Sequence, residues 1–344
     1  SPAPPTTTAP LLTTILPNVG LNSIEGTSCF MASSLQLLYR IPEIRDFILK
    51  YDKTDKYILS VKKVFDYFKN KSSGFIWEKE YEVLYELIGK KPYQQQSSSE
   101  FIQNLFDLSD LEDFKNITQT GKKWCYDEKT KEKTDEIGDE NILIMLNLPY
   151  KDDFSVQKLF DENLKEKQQE EDRTTCKDKK LKSMQKEEVK VDKDYFLINI
   201  NRNKEEIDKD GKKITKPSYE HLDIENNIII NGIKYKLTGA ILTNSTGTCG
   251  HYIYADVDVN GNVINVFDDL SVGTKLPGNF IFNYHSIILL YTKDTSATSR
   301  KYLRLFDGNN SIKTNDPNSE EFYNKYLKYK AKYMDLKNKL QKKI

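Results

Sequence analysis

Gly26-Thr27-Ser28-Cys29-Phe30-Met31-Ala32-Ser33-Ser34-Leu35-Gln36 begins as a turn of small residues and runs on as an apolar-periodic stretch through Leu38. Such a stretch predicts a helix with Cys29 at its N-terminus. There the positive end of the helix macrodipole stabilises a thiolate, which suits a nucleophile. The plain alternative is a buried, inert structural cysteine. Outward from it, apolar residues recur at helical spacing at Phe47, Ile48, Val61, Val64, Phe65 and Phe68, and again at Phe101, Leu105 and Leu108, so residues of about 20–115 read as helical.

Short β-type runs follow: Asn141–Leu148, Tyr195–Ile200, Asn227–Ile230, Tyr235–Leu242, His251–Val259, Val263–Phe267 and Ser286–Tyr291. Together they predict an antiparallel sheet. Asn231-Gly232 and Asn260-Gly261 suit the positive φ angles of two-residue hairpin turns. The charged stretches Lys122–Glu140 and Asp161–Asp194 read as solvated extensions or loops, because they have little to bury.

The chain has 344 residues, enough for one large domain or two ordinary ones. Lys+Arg and Asp+Glu balance at 52 each, so no global field points to nucleic acid or an acidic membrane. The longest apolar runs, such as Ile287–Leu290, fall far short of the roughly 18 residues that span a bilayer. Cysteines at 29, 125, 176 and 249 form no regular framework and follow no signal segment. That usage points to a reducing intracellular compartment, with no disulfide expected.

His251 is one of three histidines and stands in Cys249-Gly250-His251-Tyr252. A cysteine nucleophile needs a base within hydrogen-bond reach, and the base needs an orienting acceptor. If Asn260-Gly261 is a two-residue turn, His251 lies opposite Leu270 and Asp268 is its diagonal neighbour on the same face. A three-residue loop shifts the register by one and favours Asp269 instead.

These residues resemble a family. Gly20-Leu21 with Gly26–Gln36 looks like the Cys box of the ubiquitin-specific proteases, and Gly250-His251-Tyr252 with Phe267-Asp268-Asp269-Leu270-Ser271-Val272 looks like their His box. Gln95-Gln96-Ser97-Ser98-Ser99-Glu100-Phe101 resembles the family's Gln-Gln-Asp-Ala-x-Glu-Phe segment. Leu197–Arg202 and Tyr235–Ile241 resemble two of its strands, so five motifs in family order cover residues of about 20–292.

The resemblance implies an α+β, papain-like cysteine protease: a helical thumb with the Cys box (17–115), and antiparallel β fingers and palm with the His box (116–310). A flexible Pro/Thr-rich segment (1–16) precedes them, and 161–194 is charged and mobile in this reading. It implies Cys29 as nucleophile, His251 as base and Asp268 as orienter, with Asp269 as the alternative orienter. The implied reaction is hydrolysis of the bond after ubiquitin's C-terminal Gly-Gly through an acyl-enzyme thioester. Gln95, Gln96, Glu100, Phe101, Gly250 and Tyr252 are then the tail-binding residues. The expected partners are ubiquitin or polyubiquitin conjugates, and no cofactor is called for. A ubiquitin-binding scaffold and a protease for a ubiquitin-like modifier remain the rival readings.

The chain departs from the family pattern in places. The Asn usual five residues before the nucleophile, an oxyanion donor, is Ile24 here, which leaves Asn22 as a candidate donor if the following turn bulges. The Asp of the Gln-Gln-Asp segment is Ser97, and Ser97 with Glu100 spells a capping box for the next helix. The Tyr usual four residues after the His is Ala255. Many members grip zinc with two Cys-x-x-Cys pairs, whereas only Cys125 and Cys176 fall in that region, so no zinc is expected.

Phe322, Tyr326, Tyr329, Tyr333, Leu336 and Leu340 follow the seam spacing of a short coiled coil, which predicts an amphipathic C-terminal helix over 317–344 and helix-mediated self-association. Its eight Lys against three acids from Ser319 onward form a basic face. Richness in Lys, Asn, Ile and Tyr looks similar to proteins of AT-rich large DNA viruses. Cytoplasm, nucleus, virion and infected-cell cytoplasm are therefore the locations in view.

Overall fold

The computed structural model describes residues 19–24, 26–70, 77–89, 96–127, 129–151, 154–168, 176, 182–207, 212–244 and 250–294. The expected Pro/Thr-rich lead, the C-terminal helix, Gln95 and Cys249 lie outside them.

Five helices form the first half: α1 (Cys29–Tyr39), α2 (Pro42–Lys50), α3 (Lys56–Asn70), α4 (Glu78–Tyr85) and α5 (Ser98–Asp107). Every residue of α1 is buried, as suits a helix at the centre of a core rather than on its surface. The other four are amphipathic and wrap it. Pro42 starts α2 at the position where its missing N–H costs nothing, and Asp55 accepts from the backbone N–H groups of Tyr57 and Ile58 at the start of α3. Ser97 caps α5 by accepting from Glu100 N. Phe30 of α1 meets Tyr85 and Phe101 edge to face, each with ring centroids 6.2 Å apart.

The second half is built on sheets. An eight-stranded sheet has the order β13-β12-β11-β10-β14-β6-β3, with β9 also paired to β10. Its strands are β3 (Met145–Pro149), β6 (Tyr195–Asn201), β9 (Asn227–Ile230), β10 (Ile233–Thr243), β11 (Tyr252–Val257), β12 (Val263–Asp268), β13 (Ser271–Gly273) and β14 (Ser286–Lys293). All pairs are antiparallel except β3 with β6, which is parallel and is reached through α6 (Val156–Leu164) and a smaller sheet. One apolar cluster lies between this sheet and the helices, and a second covers the other side.

The smaller sheet, order β2-β1-β5-β4, comprises β1 (Ile117–Tyr126), β2 (Lys133–Leu143), β4 (Lys167–Gln168) and β5 (Lys182–Val191). A separate hairpin joins β7 (Asn203–Ile207) to β8 (Lys213–Pro217), and a last short helix, α7 (Phe282–His285), precedes β14. This corrects the reading of the charged stretches: most of Lys122–Glu140 is strand, and the described parts of Asp161–Asp194 contain the end of α6, β4 and β5. The backbone ladder supplies the hydrogen bonds, while partly exposed side chains pair in water, as Lys186 does with Glu188 at 3.0 Å. Strand formation here needs little burial.

A second correction concerns the cysteines. Cys125 and Cys176 are joined in a disulfide, with Cα atoms 5.7 Å apart. Cys125 stands on β1 opposite Ser183 of β5, and Cys176 lies in the connection that leads into β5. The pair joins a strand residue to a connecting segment 51 residues further on, so no regular spacing announces it.

Candidate active site

Cys29 is the first residue of α1 and is buried. Ser28 directly before it turns its hydroxyl back to accept from Ile24 N at 2.8 Å, so it ties the preceding turn instead of capping the helix. Thr27 N donates to Ile24 O at 3.0 Å, and Gly26, with φ +69, takes the left-handed position of that turn. The lead into the turn is held on several sides. Trp77 Nε1 donates to Asn22 O at 2.7 Å, Tyr67 OH donates to Gly20 O at 3.3 Å, and Gln36 Nε2 donates to Val19 O at 2.7 Å. Gly20 runs against the backbone of the turn between β12 and β13: a Cβ there would come 2.1 Å from Asp269 O. Leu21 N donates to the same carbonyl at 3.1 Å.

His251 is clamped by its backbone. Its N–H donates to Asn244 Oδ1 at 2.9 Å, and its carbonyl accepts from Thr243 Oγ1 at 3.0 Å. The ring Nε2 lies 2.5 Å from Asp268 Oδ1. With Nε2 so occupied, Nδ1 is the ring nitrogen left to meet Cys29. The hydrogen bond to Asp268, then the one to Cys29, raise the His251 pKa from 6.5 to about 10 against the opposing effect of burial. The imidazole is therefore a cation at neutral pH, placed against the nucleophile.

The turn that sets this register is not the one expected. Gly261 N donates to Asp258 O at 3.0 Å and Asp258 N to Asn262 O at 2.9 Å, so the loop has three residues, with Gly261 at φ +84. A register shift between Asp256 and Val257 then compensates for the extra residue. From Tyr254 opposite Phe267 onward, the pairing equals that of a two-residue turn.

Asp269 has φ +49 and turns away from the ladder. Burial raises its carboxyl pKa, and a hydrogen bond from Ser23 opposes that rise. Its Oδ1 is buried with no partner among the described residues. Ligand atoms of His251, Asp268 and Asp269 lie within 4.8 Å of one another, the one such group among the described residues. Since His251 and Asp268 satisfy each other, we read the group as proton-handling chemistry rather than as an ion site.

The remaining expected residues divide. Tyr252 is buried beside Cys29 and shares a hydrogen bond with Thr243, and burial lifts its hydroxyl pKa to about 12. Gly250, Gln96 and Glu100 are partly exposed. Phe101 is fully buried against Phe30, so it belongs to the helical core and not to a tail-contact surface. Ile24 likewise points into the helical core, and Asn22 is exposed on the loop before it. Ser23 and Trp77 were not expected at the site, because a serine in a turn and a tryptophan in a helical run carry no sequence signal of what they touch.

The family model for ubiquitin carboxyl-terminal hydrolase matches residues 19–291. A search of curated protein sequences finds no match. Among solved structures, a chain of the SAGA DUB module Ubp8/Sgf11/Sus1/Sgf73 bound to monoubiquitin is similar with a TM-score of 0.62 and 16% identity, over 80% of this chain and 69% of that one. A chain of the same module bound to ubiquitin aldehyde is similar with a TM-score of 0.60 and 17% identity, over the same shares. At these identities the likeness speaks for the fold.

Proposed function

The chain belongs to the ubiquitin carboxyl-terminal hydrolase family, and on that premise we propose that it is a deubiquitinating cysteine protease acting on the bond after ubiquitin's C-terminal Gly-Gly. The observation that carries the reading is the meeting of Cys29, His251 and Asp268, drawn from both ends of the matched region into one hydrogen-bonded line.

In this mechanism Cys29 attacks as a thiolate beside the His251 imidazolium. The sulfur forms a bond to the carbonyl carbon of ubiquitin's last glycine, and the carbonyl electron pair moves onto its oxygen. On collapse the C–N bond breaks and His251 gives its proton to the leaving lysine amine. A water molecule, deprotonated by the now neutral His251, attacks the thioester and releases ubiquitin, and the proton restores the ion pair. Asp268 holds the ring's orientation and steadies its charge. The oxyanion is held by the N–H of Cys29 at the helix N-terminus and by the Asn22 carboxamide, which stands exposed on the loop fixed by Trp77.

The test is hydrolysis of ubiquitin carrying a fluorogenic C-terminal amide. Wild-type protein turns it over, whereas Cys29→Ala and His251→Ala are folded and inactive. Equal turnover in either variant rejects the assignment.

Among the described residues no helix is long and apolar enough to cross a membrane.

A further inference from the structure

Cys29, His251 and Asp268 stand on or next to three elements, α1, β11 and β12, and these elements meet a second time at Arg40. Arg40 follows the last residue of α1, about 16 Å along the helix from Cys29 at 1.5 Å per residue. Its side chain is 5% exposed. Nε donates to Asp256 Oδ1 at 3.0 Å and Nη2 to Asp256 Oδ2 at 3.3 Å, a two-pronged pair with β11. Nη1 donates to Gln36 Oε1 at 2.5 Å, and the Gln36 amide in turn holds Val19 O, at the start of the loop that leads to Cys29. The guanidinium lies 4.3 Å from the ring centroid of Phe267, the residue before Asp268, and 5.2 Å from that of Tyr254. Asn265 of β12 donates to the same Asp256 carboxylate at 3.1 Å.

Stability does not account for such a group. Taking two charges out of water costs about what their attraction returns, and apolar side chains of similar volume often serve as well or better. Geometry does account for it. The apolar packing of α1 on the sheet is non-directional and tolerates small slides and rotations. A forked guanidinium fixed in plane by one carboxylate, with aromatic rings beside it, does not.

We propose that Arg40 is a positioning residue for the hydrolysis: it fixes the register of α1 against the β11–β12 hairpin, and through that register the separation of Cys29 from His251. This rests on the proposed reaction, for which Arg40 touches no reacting atom. Its role is to hold a near-attack arrangement, where a misplacement of about 1 Å can cost on the order of 100-fold in rate.

The test uses the full chain with Arg40→Lys, which keeps the charge but loses the fork, and the apolar pair Arg40→Met with Asp256→Leu, which removes both charges together. Thermal melts establish that each is folded at assay temperature. Two readouts follow: kcat and KM on ubiquitin with a fluorogenic amide, and the pH profile of Cys29 alkylation by iodoacetamide, mapped to its peptide. The expected result is a fall of roughly 10- to 100-fold in kcat with KM within about twofold. Alkylation at Cys29 should also lose rate at neutral pH and require more alkaline solution, because the imidazolium no longer meets the sulfur. A folded apolar pair with unchanged kcat and alkylation profile overturns the proposal, as does a change confined to KM. If wild-type protein hydrolyses no ubiquitin amide, the proposed function fails, while the alkylation profile still decides whether Arg40 sets the Cys29–His251 geometry.

Discussion

His251 and Asp268 meet at 2.5 Å diagonally across the β11–β12 hairpin, and they do so because a register shift between Asp256 and Val257 offsets the extra residue in its turn. Two irregularities, each of which alone would rotate the strand by one residue, cancel before the site is reached. Deleting one residue from the Val259–Gly261 turn, with the three-residue turn re-formed by drawing in Asn262 and the shift persisting, should bring Asp269 into the place of Asp268. Loss of activity with the fold retained is the expected outcome, measured by ubiquitin-amide hydrolysis and a thermal melt.

Asp268→Asn removes the group that contributes most to the raised pKa of His251. The imidazolium should then lose its proton at lower pH, so the alkaline limb of kcat/KM moves down from about 10 toward 6.5. The raised value also implies a stability term of definite sign. It is fully present below pH 6.5 and is lost as pH rises through about 10. Wild-type protein should lose part of its melting temperature between pH 7 and 10.5 that His251→Ala does not lose.

Ile24→Asn should not raise kcat. The side chain at 24 packs in the helical core, so an amide there is buried and costs about 1–3 kcal/mol of stability. Asn22→Ala should instead lower kcat by roughly 100-fold with KM little changed, the usual size for losing one oxyanion donor. Steady-state kinetics on both variants, beside thermal melts, checks the pair. An unchanged kcat in Asn22→Ala removes Asn22 from the site.

Replacing Cys125 and Cys176 together by Ser should destabilise the protein by about 2–4 kcal/mol, since their bond closes a long loop between residues 51 apart. Cys29 lies elsewhere, so kcat should hold. Urea unfolding with and without a dithiol reductant measures the effect, and the double variant should be insensitive to the reductant.

Much of this was legible in the chain because it depends on local rules. Asn231-Gly232 forms the two-residue turn its residues ask for, with φ +50 and +77 and Ile230 paired to Ile233. Asn260-Gly261 offers the same dipeptide, yet the upstream Asp258 carboxylate accepts from Asn260 N and Asn262 N, both at 2.8 Å, and draws a third residue into the loop. The disulfide was hidden because Cys125 on β1 and Cys176 in the connection into β5 come together only in the folded chain, 51 residues apart in sequence. Arg40 was hidden too, for a cation at a helix end normally faces water. Its burial depends on Asp256, 216 residues away.

The most direct test of the central claim is a ubiquitin probe with an electrophile in place of its C-terminal carboxylate, followed by peptide mapping of the adduct. The account expects a single adduct on Cys29 in wild-type protein, a much slower one in His251→Ala, and none in Cys29→Ala. Stable binding of the probe without an adduct, or an adduct on any other residue, would contradict it.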